Sequence, residues 1–131
     1  MDQNANKETA KIFLEAIAVH DADRMASTMT DDATYWVQGK PHLFRAAGEK
    51  SKAVIYEYMK TPSIFKNGLK QTLGAITAED DRVAVEVEVD GIAPNGMHYV
   101  NTYHYLFIFR DGKILKIKEY LDTAHAAEVF N

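Results

Sequence analysis

The sequence has 131 residues and no cysteine, which excludes disulfides, thiolate-bound zinc, iron–sulfur clusters and a thiol nucleophile. Seven glycines and three prolines are too few for a low-complexity or linker-rich chain. No apolar run approaches the roughly 20 residues that cross a bilayer. The opening MDQNANKETAKIF lacks the apolar centre of a secretory signal. The chain is therefore expected in the cytoplasm, with no membrane partner. His20, His42, His98, His104 and His125 show neither HxxxH nor HxH spacing, so no metal is expected. GxSxG, P-loop and GxGxxG motifs are also absent, which removes the usual serine-hydrolase and nucleotide readings. No cofactor is expected.

What the chain does contain is a core. Hydrophobic residues make up 47% and aromatics 11%, and a chain of this length buries roughly two-thirds of its unfolded surface. One domain spanning residues 1–131 is expected. The net charge of −4 argues against nucleic acid as a partner. Lys40–Lys70 carries seven basic and two acidic residues. These are scattered like a solvated face, although such a stretch can also steer an anion.

The order of elements is helices first, strands afterwards. Ala10, Phe13, Ala16 and Ile17 form one apolar stripe across an opening helix, with Asn6 as its expected cap. Asp21 caps a second helix expected over Ala22–Met29, and Thr34–Gln38 reads as a strand. Ser51–Lys60 is helical in pattern, with Val54, Ile55, Tyr58 and Met59 as its inner stripe. A strand is expected near Leu69–Thr77. Arg82–Asp90 alternates strictly, placing Val83, Val85, Val87 and Val89 on one face. Turns at Pro94-Asn95-Gly96 and Asp111-Gly112 bracket a long strand, Met97–Arg110. Lys113–Leu121 forms the last strand and Thr123–Phe130 a closing helix. This order predicts an α+β fold, a curved sheet with the helices folded across one face.

Strand parity selects the candidate site. In Lys113–Leu121, Leu115, Ile117, Glu119 and Leu121 share a face, opposite Ile114, Lys116, Lys118 and Tyr120. The face with two lysines is the wetter one, so Glu119 falls on the apolar face. Desolvation raises a carboxyl's pKa toward neutrality, which suits a general acid or base. A salt bridge to a buried Lys or Arg, or a bulge that turns the side chain outward, is the structural alternative. In the preceding strand, Tyr99, Asn101, Tyr103, Tyr105, Phe107 and Phe109 share one face. The opposite face is also largely apolar, so this strand is expected to be covered on both sides or to lie in a dimer interface. Buried tyrosine hydroxyls each need a partner or a cavity. Asn101 is placed to orient Glu119 or a ligand, or to satisfy a loop backbone. Trp36 either lines the mouth of a pocket or fills the helix–sheet junction. Asp122 has the opposite parity to Glu119 and is most simply an N-cap.

The segment Tyr99–Asp122, YVNTYHYLFIFRDGKILKIKEYLD, with Trp36-Val37-Gln38-Gly39 upstream, resembles the SnoaL-like branch of the nuclear transport factor two-like superfamily. That resemblance implies a cone-shaped, mixed β-sheet with N-terminal helices on its concave face. In phenazine-biosynthesis relatives a general-acid Glu matches Glu119, and in epoxide-hydrolase relatives a catalytic Asp matches the same position. In polyketide-cyclase relatives the pocket Asp matches Asp122. The Arg–Asp pair of the epoxide hydrolases and the Tyr and Asp arrangement of the steroid isomerases have no counterpart here.

The expected function is therefore binding of an apolar, ring-containing small molecule, with cofactor-independent isomerase, cyclase or hydrolase chemistry. Glu119 and Asp122 are the catalytic candidates, and Trp36, Tyr99, Asn101 and Tyr103 the substrate-binding ones. The alternative is a non-catalytic ligand-binding or dimerisation module. A homodimer is expected through the outer sheet face at Val100, Thr102 or His104.

Overall fold

The computed structural model describes residues 2–131. The elements run α1 (Gln3–Ala18), α2 (Ala22–Ser27), β1 (Met29–Val37), β2 (Gly48–Ser51), α3 (Lys52–Met59), β3 (Lys70–Glu79), β4 (Arg82–Ile92), β5 (His98–Arg110), β6 (Lys113–Tyr120) and α4 (Thr123–Phe130). The strands form one curved, open, mixed sheet in the order β2-β1-β6-β5-β4-β3. Only β1 and β6 pair in parallel; every other neighbouring pair is antiparallel. The α+β architecture anticipated from the order of patterns is the one adopted.

The core lies between the helices and one face of the sheet. Val83, Val85, Val87 and Val89 are all buried there, as strict alternation requires. Phe13 of α1 meets Phe107 edge-on at 5.5 Å between ring centroids, a favourable aromatic geometry. Asp111 and Gly112 both take positive φ, 51° and 81°. They close the β5–β6 hairpin with the backbone that Asp-Gly accommodates.

Several local expectations need correction. Asp2, not Asn6, caps α1, accepting from the Ala5 N–H at 3.0 Å; Asn6 is buried inside the helix. The second helix stops at Ser27, and Met29 opens β1, which is longer than expected. β2 was not anticipated, because GEKS has neither β-branching nor alternation to mark it. Within β6, Ile114 is buried while Leu115 is only half-buried. The register slips where Ile108 pairs with Lys116 and Phe109 with Ile114. This bulge leaves Leu115 unpaired and moves it off the inner face. Beyond it the expected parity resumes, with Ile117 and Glu119 pointing inward.

Among the described residues, no other element covers the outer face of β5. His98, Val100, Thr102 and His104 are exposed, and Val100 retains 50% of its accessible surface. Two-sided apolar patterning thus marks an uncovered face here, not a second buried one.

Candidate functional site

Between the sheet and the helices lies an open-mouthed cavity of about 440 Å³, within the size range of small-molecule sites. Its walls are mostly apolar. Val54 and Tyr58 of α3 and Ile64 of the following loop stand at its rim, each at least 40% exposed. The stripe expected to bury α3 in the core therefore faces open space, and only Ile55 is fully packed.

Glu119 enters this cavity from β6. The parallel β1–β6 pairing sets it beside Val37, and the antiparallel β5–β6 pairing sets it beside Tyr105. Tyr35, on the same inward row of β1 as Val37, donates its hydroxyl proton to Glu119 Oε1. Burial pushes the Glu119 carboxyl above its ordinary range, while hydrogen bonds from Tyr35 and Tyr105 and the charge of Lys50 pull it partly back. Burial also drives the Tyr35, Tyr103 and Tyr105 hydroxyls far above the usual tyrosine range, reinforced in each case by the nearby Glu119 charge. These three hydroxyls stay protonated.

Lys50 of β2 also lines the cavity. Its ammonium donates to the carbonyls of Ala46 and Gly48. Burial lowers its pKa and the Glu119 charge raises it. Glu119 forms no ion pair within 4 Å among the described residues, so the salt-bridge alternative for it does not apply.

Of the six residues singled out from sequence, Glu119 and Tyr103 line the cavity together. Tyr99 and Asn101 lie directly behind them. Tyr99 is fully buried between Phe65 and His125, at ring distances of 5.8 and 5.2 Å. Its hydroxyl stands 2.6 Å from that of Tyr103. Asn101 ties the start of α4 to the sheet: its Nδ2 donates to the Asp122 carbonyl at 3.0 Å, and its Oδ1 accepts the Asp122 N–H at 3.1 Å. That is the backbone-satisfying role considered for it.

The remaining two lie elsewhere. Trp36 has the opposite parity to Tyr35 and Val37 and sits on the outer face of the sheet. It packs there against Tyr120 at 5.2 Å, with the Lys118 ammonium 5.2 Å above its ring. It does not line the cavity. Asp122 is exposed and caps α4, accepting from the His125 N–H at 3.2 Å. Its carboxylate is committed to the helix end, which the reversed parity of position 122 favours.

Three contributors to the site were overlooked. Tyr35 could have been found, since Ala33, Tyr35 and Val37 alternate against Thr34, Trp36 and Gln38. Tyr105 shares its row with Tyr103. Lys50 had no local signal, because only the pairing of β2 with β1 brings it to the cavity. Among the described residues, no group of three or more His, Cys, Asp or Glu side chains could hold a metal. No helix among them is long and apolar enough to cross a membrane.

The same architecture recurs in solved structures. Bal32a, from a soil-derived mobile gene cassette, is 20% identical with a TM-score of 0.83, and the match covers 98% of each chain. TerC, co-crystallised with polyporic acid, is 20% identical with a TM-score of 0.82 over 96% of this chain and 98% of its own. An LEH-like epoxide hydrolase of M. tuberculosis is 16% identical with a TM-score of 0.76, covering 98% and 90%. These likenesses establish the fold. No curated protein matches the chain in sequence. The sequence model of the SnoaL-like domain, however, matches residues 10–117, from the middle of α1 to Ile117 within β6, and the chain belongs to the SnoaL-like family.

Proposed function

We propose that the cavity binds an apolar, ring-containing small molecule and that Glu119 transfers a proton to or from it, without metal or organic cofactor. The observation carrying this reading is the placement of one carboxyl, its pKa raised by burial, against a largely apolar cavity. A carboxyl in that state exchanges protons nearer neutrality than a solvated one. Tyr35 holds it in place, and Lys50 tempers its basicity. Isomerisation, cyclisation and epoxide opening are the reaction classes that such a group serves. TerC, co-crystallised with polyporic acid, and the LEH-like epoxide hydrolase of M. tuberculosis share this fold, which supports a small-molecule reading.

The test is a thermal-shift screen against steroids, terpenoids and polyketide-like aromatics, followed by turnover assays on the ligands found. A ligand present at 100 times its dissociation constant adds about 2.7 kcal/mol of stability. Glu119→Gln should retain ligand binding and lose turnover. Full turnover in that variant would reject the catalytic role, and binding without turnover in the wild type would favour the non-catalytic module. The same reading includes a homodimer formed through the outer sheet face around Val100, Thr102 and His104, whose exposure supports it. A monomer by light scattering at micromolar concentration would refute that part.

A further inference from the structure

Behind the cavity wall, Asn101, Tyr99 and Tyr103 form a hydrogen-bonded row whose direction the structure allows to be worked out. The Asn101 amide has a determined orientation. A backbone N–H can only donate and a backbone carbonyl can only accept, so Oδ1 must face the Asp122 N–H and Nδ2 the Asp122 carbonyl. The second Nδ2 hydrogen then goes to the Tyr99 hydroxyl oxygen at 2.9 Å.

That leaves the Tyr99 proton to be placed. Tyr99 is fully buried, and among the described residues its hydroxyl has hydrogen bonds only with Asn101 and Tyr103. If Tyr103 donated to Tyr99, the Tyr99 proton would be buried with no acceptor, a costly state. Tyr99 therefore donates to Tyr103 across their 2.6 Å contact. The Tyr103 proton is left over, on a residue that lines the cavity and has no other hydrogen-bond partner among the described residues. The chain of donors runs from Asn101 through Tyr99 to Tyr103, and each link strengthens the next.

We infer that Tyr103 presents an unpartnered O–H to the cavity, held in that direction by Asn101 acting through Tyr99, and that the ligand carries an oxygen acceptor such as a ketone carbonyl opposite it. This rests on the cavity being the ligand site and adds a substrate class to it. Asn101 is then a positioning residue, one that turns Tyr103 outward while joining α4 to the sheet. On β5, Tyr103 lies two residues from Tyr105, the cross-strand partner of Glu119. An oxygen bound at Tyr103 would bring the neighbouring atoms of the ligand within reach of that carboxyl, since such diagonal positions lie roughly 7–8 Å apart.

Two probes of similar shape, 2-acetylnaphthalene and 2-ethylnaphthalene, separate the possibilities. Calorimetry should show the ketone binding the wild type about tenfold more tightly, the equivalent of roughly 1.4 kcal/mol. The infrared carbonyl stretch of the bound ketone should lie to the red of its position in apolar solvent. Tyr103→Phe should abolish both the preference and the shift while binding 2-ethylnaphthalene as before. Asn101→Asp puts an acceptor where Tyr99 now meets a donor, so the Tyr99 proton should turn back and draw the Tyr103 proton with it. The red shift should then collapse without loss of 2-ethylnaphthalene binding. Should that variant fail to fold, Tyr99→Phe removes the link with the ring retained, and the shift should shrink. An unchanged preference in Tyr103→Phe, or an unchanged shift in the variant that removes the link, would overturn the inference and leave the cavity reading standing. Binding of neither probe to the wild type would overturn both.

Discussion

In β5, Phe107 packs edge-on against Phe13 of α1 and is fully buried. Two and four residues earlier on the same face, Tyr105 and Tyr103 stack 5.8 Å apart, and a cavity lined by both opens in front. The two parts differ in sequence by a hydroxyl per ring. Phenylalanine occupies the positions where a helix excludes water, and tyrosine those where each hydroxyl meets another polar group or the open space. A strand uniform in shape and alternation thus serves as core at Phe107 and as a chemical wall at Tyr103 and Tyr105.

That contrast can be broken in either part. Phe107→Ala should cost about 3–5 kcal/mol of unfolding free energy, because it leaves a hole in a closed core; chemical denaturation measures it. Tyr103→Phe should cost less, about 1–3 kcal/mol, since no volume is lost and only the buried Tyr99 proton is orphaned. If the tyrosine were the costlier of the two, the cavity wall would be the real core.

Glu119→Gln sharpens the comparison through pH. The carboxyl's folded pKa lies above its ordinary value of 4.5, so between those two values the folded protein binds more protons than the unfolded chain. Stability then falls as pH rises through that window and levels off above it. The Gln variant lacks this decline, so it should match the wild type in acid and exceed it at neutral pH. A difference curve that is flat across the window would mean that the carboxyl is solvated. The smallest effect is expected away from both parts of β5. Asp122→Ala should cost about 1 kcal/mol by uncapping α4, and Asp122→Asn should restore most of it. Ligand binding should change in neither variant.

Much of this arrangement was legible in the chain. The valines of β4 and the inward row of β5 followed from period-two alternation, and Glu119 stood out as a carboxyl among apolar neighbours. The turn at Asp111-Gly112 announced itself by residue type. Other features had no local signature. β2 is four residues long and half of them are charged. Trp36 attracted notice as the lone tryptophan, while parity makes Tyr35 the inward residue. The stripe of α3 reads the same whether it meets a filled core or an empty space, because periodicity reports which side faces inward and says nothing about what is there.

By itself the sequence determined the α+β class, the strand alternation, the family and the inward carboxyl, since all of these depend on local patterns of polarity and turn chemistry. Only the tertiary structure decided that the cavity stays open and that Tyr35 meets Glu119 there, with Lys50 on the same cavity wall. It alone decided that Asn101 is locked to the backbone of Asp122, and with it the direction of the tyrosine row. Those outcomes depend on the parallel pairing of β1 with β6 and on the antiparallel pairing of β2 with β1. Such contacts join residues as far apart as Tyr35 and Glu119, and no short stretch of sequence contains them.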